Sequence, residues 1–528
     1  MLWAGLLAGA LMATPPTFAG QRTLRVLATT DMHGAMAAAP IVEQAGHPAA
    51  GLLRTATLIR AARAENPANV LVDGGDFAAG TLESSYSGGL RMAEAIGLLG
   101  YDSVTLGNHE FDWGVPAADK LVAALSVPVL AANFSATAED TPGLAEVRPY
   151  VVKDVEGLRV AIVGLATPNL PRWFRDFTES GLRTAPSVAT IEALLPELRR
   201  LEPDIMILVA HQGLMARDDE ANEINAIGAL FPDFDLVLGG HLHWALPGAK
   251  VGRVDYGQAG AYAEGVLQVD LVYDDEARAV VSKEFRLLSA TPETPVDAQL
   301  AALFREDLER AAAENATSPG AVARPMGTSQ TPPALSPVQQ LFAKALMAAT
   351  GAQAAFHGTF NGERLLPGPV TVRDLWRICP YDNRVAIAWL TKDEIRRVAE
   401  EALQFSGTVR YAALSGLLYD LYPNAAAGKR VRNIRAADGS ALNGRKRIPV
   451  AFGSYLASGA GGRHPVLSSI LADPATRLEI RDLLIRDAVA AFLRANDPVD
   501  LPSGTDARVF RRERRLWERV SDFESSIE

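Results

Sequence analysis

Between residues 24 and 240, short apolar runs alternate with amphipathic stretches, and five of the runs are followed at once by residues of metal-ligand type. The runs at 24–29, 70–73, 103–106, 127–131, 159–165, 205–209 and 236–238 are too short for helices and read as buried strands. The stretches at 53–64, 91–99 and 191–200 repeat their apolar residues at helical spacing. Strands alternating with helices predict an α/β domain. From about 254 to 271 the pattern becomes strand-rich, which predicts that this domain closes with hairpins.

A chain of 528 residues is long for one domain. Thr291-Pro292-Glu293-Thr294-Pro295 is a proline-bounded break, 298–315 reads as one helix, and 317–336 has the Pro, Ser, Thr and Gly content of irregular chain. The expected organisation is a first domain over 22–290, a connection over 291–335, a second domain over 336–505 and a charged tail over 506–528.

The motifs behind the runs are Asp31-Met32-His33, Gly75-Asp76, Gly107-Asn108-His109-Glu110, Ala210-His211 and Gly239-Gly240-His241-Leu242-His243. In an open α/β sheet the carboxyl ends of the strands converge on one crevice, so residues far apart in sequence can meet there. Carboxylate, imidazole and amide oxygen suit zinc, manganese, iron or cobalt. A lone histidine is more often structural than a ligand. Five of the eight histidines fall in these motifs, however, leaving His47, His357 and His464 outside them. Two cations about 3.5–4 Å apart can activate a hydroxide for attack on phosphorus and neutralise the phosphoryl oxygens.

A net charge of -11 argues against a broad nucleic-acid-binding surface but does not exclude an anionic substrate, because a bound metal reverses the local charge. The single cysteine, Cys379, excludes an intrachain disulfide and reads as a small buried hydrophobe. Residues 1–18 are apolar and lack acids, and Thr17-Phe18-Ala19 resembles a small-x-small cleavage site. This predicts a signal peptide over 1–19 and a periplasmic or secreted protein with no stable membrane span, since no later stretch approaches about 20 continuous apolar residues.

The order of the five motifs resembles the calcineurin-like metallophosphoesterases. Gly107-Asn108-His109-Glu110-Phe111-Asp112 resembles their 5′-nucleotidase branch, which includes UDP-sugar hydrolases. The resemblance implies a four-layer αββα first domain, followed by a smaller α/β substrate-binding domain. It implies two divalent metal ions, one held by Asp31, His33 and His243 and the other by Asn108, His211 and His241, with Asp76 bridging both. His109 and Asp112 match the family's catalytic pair, and Glu110 reads as a hydrogen bonder beside it. The implied substrate is a small phosphate ester, most simply a nucleotide.

In the second domain the resemblance resumes at Ser336-Pro337, Pro369-Val370-Thr371, Cys379-Pro380-Tyr381-Asp382-Asn383, Leu414-Ser415-Gly416-Leu417 and Tyr455-Leu456-Ala457-Ser458-Gly459. The positions matching the two rings that sandwich a base are Tyr411 and Tyr455. A glycine-rich phosphate-contacting run is replaced by His357-Gly358-Thr359-Phe360-Asn361-Gly362-Glu363-Arg364, where Arg364 can take the arginine's place and His357 or Asn361 the asparagine's. A ribose-gripping aspartate is missing from Gly459-Ala460-Gly461-Gly462-Arg463, and Arg463 brings a positive charge instead. Two readings therefore stay open: a phosphomonoesterase, or a hydrolase of cyclic-nucleotide, nucleotide-sugar or sulfur esters at the same metals. A non-catalytic ligand-binding protein is a third.

Overall fold

The computed structural model describes residues 20–38, 50–328 and 335–509, except 138, 409 and 505. The expected signal peptide, His47 and most of the tail lie outside the described residues.

The first domain contains two six-stranded sheets. One runs, edge to edge, through Ala279–Ser289, Gly265–Asp274, Gln21–Thr29, Asn69–Asp73, Ser103–Thr105 and Val129–Leu130. The other runs through Ala245–Val251, Val254–Ala259, Leu236–Gly239, Ile205–Ala210, Leu158–Leu165 and Tyr150–Val155. Leu24, Val26, Val70 and Val72 of the first sheet pack against Ile162, Ile207, Val209 and Leu238 of the second, forming the inner core. The outer face of the first sheet is covered by the helices Leu52–Glu65, Leu90–Leu99 and Ala298–Asn315, through Ile59, Ile96 and Phe304. The outer face of the second is covered by Ser187–Arg200 and Ile224–Leu230, through Leu198 and Ile227. This is the expected αββα order. Each strand buried on both faces reads as a continuous apolar run, which makes these strands legible in the sequence. The edge strand Tyr150–Val155 is mostly half-exposed and lacks that mark.

The strands carrying the five motifs are parallel within each sheet, pairing Leu27 with Leu71, Val72 with Ser103 and Leu236 with Ile207. Their carboxyl ends therefore open on one edge of the sandwich. A buried ion pair braces the opposite side. Arg25 Nε donates to Asp270 Oδ1 at 2.8 Å, with both side chains 2 % exposed. Asp270→Ala leaves the guanidinium buried with reduced compensation, and a loss of about 3–5 kcal/mol is expected. Denaturant unfolding of the variant and the parent measures it.

The second domain is built on a five-stranded sheet ordered Ala413–Ser415, Ala354–His357, Ile448–Gly453, Arg384–Leu390 and Glu479–Leu484. Helices Pro337–Thr350 and Ile485–Ala495 cover one face, through Leu341, Phe342 and Val489. Helices Lys392–Ala402 and Pro465–Leu471 cover the other, through Ile395 and Leu467. Ser336 and Gln339 form a capping box that starts Pro337–Thr350, and Gly351 ends it in the left-handed conformation.

The helix Ala298–Asn315 begins on Asp297, whose carboxylate accepts from the amides of Gln299 and Leu300. It is packed on both domains. Leu300 and Phe304 enter the first domain's core, and Ala311 meets Trp376 of the second. The Trp113 indole donates to Asp382 across the domains at 2.8 Å, and Arg486 pairs with the same carboxylate.

Candidate metal centre

The five loops at the ends of the parallel strands meet at one point. The ligand atoms of Asp31, His33 and His243 lie within 4.8 Å of one another, and so do those of Asp76, His211 and His241. Asn108 joins the second group, its Oδ1 lying 3.2 Å from His211 Nε2. All are buried except His241 and His243, which are half-buried.

Tight backbone geometry turns these side chains inward. Asp31, His33, Asp76, His241 and His243 all have positive φ, between 50° and 69°. Such a conformation costs about 1–3 kcal/mol at a residue other than glycine and persists only where the surroundings enforce it. Here the loops enforce one another: the Asp31 amide donates to Gly75 O and the His33 amide to Asp76 O, both at 2.8 Å. Close approach explains Gly107, where a Cβ would lie 2.3 Å from Asp76 Oδ1.

The donor set fits divalent cations. His33 Nδ1 bonds the Ala79 carbonyl at 2.8 Å, so in the neutral ring Nε2 carries a lone pair, and it faces His243 Nε2 at 2.9 Å. His211 Nδ1 likewise bonds the Gly74 carbonyl at 2.7 Å, turning Nε2 toward Asp76 Oδ2 at 2.9 Å. That buried oxygen has no hydrogen-bond partner among the described residues. The two imidazole nitrogens of His33 and His243, facing each other at 2.9 Å, call for positive charge between them. Burial pushes His241 and His243 down to about 3 and His33 well below its usual range, which keeps these rings in the neutral, ligating form.

His109 stands apart. The single helical turn His109–Phe111 brings Asp112 back beneath it, and His109 Nδ1 lies 2.7 Å from Asp112 Oδ2. Burial opposes charge on this ring, but the carboxylates of Asp112 and Asp76 outweigh it and push His109 up to about 10. Its backbone amide donates to Asp76 Oδ1 at 2.6 Å, so the ring is tied to the centre. Glu110 points away and accepts from the amides of Asp76, Phe77 and Gly107 at 3.0, 2.9 and 2.9 Å. It holds two of the five loops together. Glu110→Ala is expected to weaken metal binding by roughly 10- to 100-fold, measured by competition with a chelator.

Two rings for which the motifs predict no role cover the centre. Tyr381, from the second domain, stacks on His109 with centroids 5.5 Å apart and planes 15° apart. Trp173, ending the short helix Leu170–Trp173, stacks on His241 at 5.2 Å and 24°. The motif around Tyr381 is visible in the sequence, but no local spacing links it to His109. Trp173 carries no sequence signal at all.

The second-domain residues fare unevenly. Tyr455 is half-buried, and its hydroxyl lies 2.9 Å from Arg463 Nη2. Tyr411 departs from the expected pair of stacking rings. It is 2 % exposed and packed with Leu335, Ala402 and Ala413. A ring enclosed in this way offers no face to a ligand, because its short segment leads straight into the strand Ala413–Ser415 and is drawn into the core with it. Asn361 spends its amide on the Arg377 carbonyl at 2.8 Å and shapes its own loop. His357 is buried at the end of a strand, with Nδ1 against Gly358 O, and burial lowers it to about 4. Arg364 is exposed.

Comparison with known proteins agrees with this architecture. Residues 24–245 match the family model described as Calcineurin-like phosphoesterase, and residues 315–469 match 5′-nucleotidase, C-terminal domain. A 2′,3′-cyclic-nucleotide 2′-phosphodiesterase/3′-nucleotidase of Salmonella typhimurium is 29% identical over 244 residues, 43% of this chain and 37% of its own length. A 5′-nucleotidase of Rattus norvegicus is 32% identical over 193 residues, 36% of this chain and 32% of its own. The chain thus spans well under half the length of these curated relatives. A putative 5′-nucleotidase of Staphylococcus aureus shares the fold with a TM-score of 0.75 at 20% identity, covering 92% of this chain and all of that one.

Proposed function

Because residues 24–245 belong to the calcineurin-like phosphoesterases and residues 315–469 are a 5′-nucleotidase C-terminal domain, we propose that the chain is an exported phosphohydrolase that releases phosphate from nucleotides or related organic phosphates. The observation that carries this reading is the pair of ligand groups, with His109 and Asp112 beside them. Asp31, His33 and His243 would hold one divalent cation, Asn108, His211 and His241 would hold the other, and Asp76 would serve both. When bound, the two cations supply Lewis-acid stabilisation of the phosphoryl oxygens and activation of the attacking water.

The chain's own residues supply the rest. His109, charged through its carboxylate neighbours, donates a proton to the leaving oxygen or stabilises the charge that develops there. Asp112 fixes the ring and favours its charged form. Tyr381 stacks on one face of His109. Export rests on the apolar stretch at residues 1–19, and among the described residues no helix is long and apolar enough to cross a membrane.

A second reading, hydrolysis of a cyclic nucleotide diester at the same centre, is favoured by the activity for which the Salmonella relative is named. One experiment separates the two. The chain is stripped with chelator, restored with Mn²⁺, Zn²⁺ or Co²⁺, and offered 5′-mononucleotides, 2′,3′-cyclic nucleotides, a nucleotide sugar and sugar phosphates. Metal-restored phosphate release from mononucleotides supports the first reading. Turnover of cyclic diesters alone replaces it with the second, and no turnover with any metal sinks both.

A further inference from the structure

The four histidines of the two ligand groups are not steadied in the same way. His33 Nδ1 bonds the Ala79 carbonyl and His211 Nδ1 the Gly74 carbonyl, and a bond of this kind behind a ligand histidine fixes its ring. His241 and His243, from the Gly239-Gly240-His241-Leu242-His243 loop, lack it. Among the described residues neither ring nitrogen of His241 has a hydrogen-bond partner, and the only such contact of the His243 ring is Nε2 to His33. The loop backbone itself is pinned. The His241 amide donates to both carboxylate oxygens of Asp31 at 3.0 Å, and Leu242 packs so closely on Gly213 that a Cβ there would lie 2.2 Å from Leu242 Cγ. The orientation of the two rings must come from something else.

An aromatic ring meets each of them. Trp173 stacks on His241 with centroids 5.2 Å apart, and Tyr262 meets His243 edge to face at 5.6 Å and 84°. Both aromatic residues are held in turn. Tyr262 lies in the turn between the strands Val254–Ala259 and Gly265–Asp274, and its amide donates to the Asp31 carbonyl at 2.8 Å. Its ring also lies 5.3 Å from His33. Trp173 packs on the cluster that contains Leu106, Phe111 and Leu170. Its outer edge is closed by the second domain, where a Cβ on Gly461 would lie 2.7 Å from Trp173 Nε1. In their ring contacts, Tyr262 therefore serves the group of Asp31, His33 and His243, and Trp173 the group of Asp76, His211 and His241.

We propose that Tyr262 and Trp173 are positioning residues that replace the missing hydrogen bonds, each setting the ring of one loop histidine and so the affinity of one of the two cation sites. This rests on the dinuclear phosphoesterase reading and adds two residues to it. The physical reason is entropic. A ligand ring gives up rotamer freedom when it binds a cation, and a ring already packed against an aromatic neighbour has less to lose. The ring of each positioning residue carries the effect, and the Tyr262 hydroxyl and the Trp173 N–H take no part.

The test is metal binding by the full chain, stripped with chelator and titrated with Zn²⁺ against a competing chelator. The wild type should bind two cations. Trp173→Ala should weaken one of them roughly tenfold or more and leave the other unchanged, and Tyr262→Ala should weaken the other. Double variants tell the sites apart. The Trp173→Ala loss should disappear in a His241→Ala background and persist in a His243→Ala background, with the reverse for Tyr262→Ala. Trp173→Phe and Tyr262→Phe, which keep a ring, should bind both cations nearly as the wild type does. Thermal melts of the metal-free chains check that each variant is folded, and either residue alone suffices. Equal weakening of both cations in the folded alanine variants, no weakening of either, or a phenylalanine variant as weak as its alanine counterpart overturns the proposal. A wild type that holds fewer than two cations overturns the dinuclear centre, and this proposal with it.

Discussion

Asp76→Ala is expected to lower phosphate release by about 10⁴-fold or more, roughly 5 kcal/mol of transition-state stabilisation. Asp76 is the proposed bridge between the two ligand groups. Its Oδ2 meets His211 Nε2 at 2.9 Å while its Oδ1 accepts from the His109 amide at 2.6 Å. Removing it therefore withdraws a negative charge from among buried ligands and frees the loop that carries His109. Metal content, measured on the purified variant, should fall below two equivalents per chain, and the melting temperature should drop toward that of the chelator-stripped parent. A variant that keeps two metals and full turnover would contradict the proposed centre. The same linkage makes chelation destabilising in the parent. In the proposed centre, cations between the strained loops around Asp31, His33, Asp76, His241 and His243 would help to hold them, and bound metal adds stability in proportion to the logarithm of its occupancy ratio.

His109→Ala should separate chemistry from metal binding. Both metals should remain, because His109 contributes only its backbone amide to the ligand cage, yet turnover should fall about 10²- to 10⁴-fold, the range of a positioned proton donor. Asp112→Asn is expected to act in the same direction with a smaller effect. It keeps an oxygen near His109 Nδ1 but removes the charge that helps to hold the ring protonated against its burial. Metal analysis together with kcat on an activated aryl phosphate and on AMP distinguishes the cases. A leaving group that needs no proton should hide most of the His109 defect, whereas a structural role would depress both substrates alike.

The tertiary structure also assigns Tyr381 and Trp173 places that neither motif order nor composition foretells. Each covers a different histidine, and they come from opposite domains. That arrangement makes the packing of the second domain part of the site's geometry. The Trp113 to Asp382 hydrogen bond, with Arg486 on the same carboxylate, fixes the segment that carries Tyr381. Substitutions far from the metals, in that contact, should therefore be felt at His109.

Local features are legible along the chain. A buried strand is a short apolar run, and in a parallel sheet the loop at its carboxyl end lies on the common edge. Asp31, His33, Asp76, Asn108, His109, His211, His241 and His243 can be gathered from the sequence because each stands at such an end, whereas Asp112 follows only from the family resemblance. The capped helix Ala298–Asn315 is legible for the same reason, since its apolar period and its Asp297 start are both short-range signals. The second domain's contribution is not. Whether a tyrosine near a loop stacks on a ligand or sinks into the core depends on which sheet edge its segment joins. Tyr411 is drawn inward by the strand it precedes, while Tyr455 is left beside Arg463 and Gly461. The stacking of Tyr381 on His109 and of Trp173 on His241 results from how two cores dock. That is decided by side-chain packing between distant segments, which no spacing along the chain records.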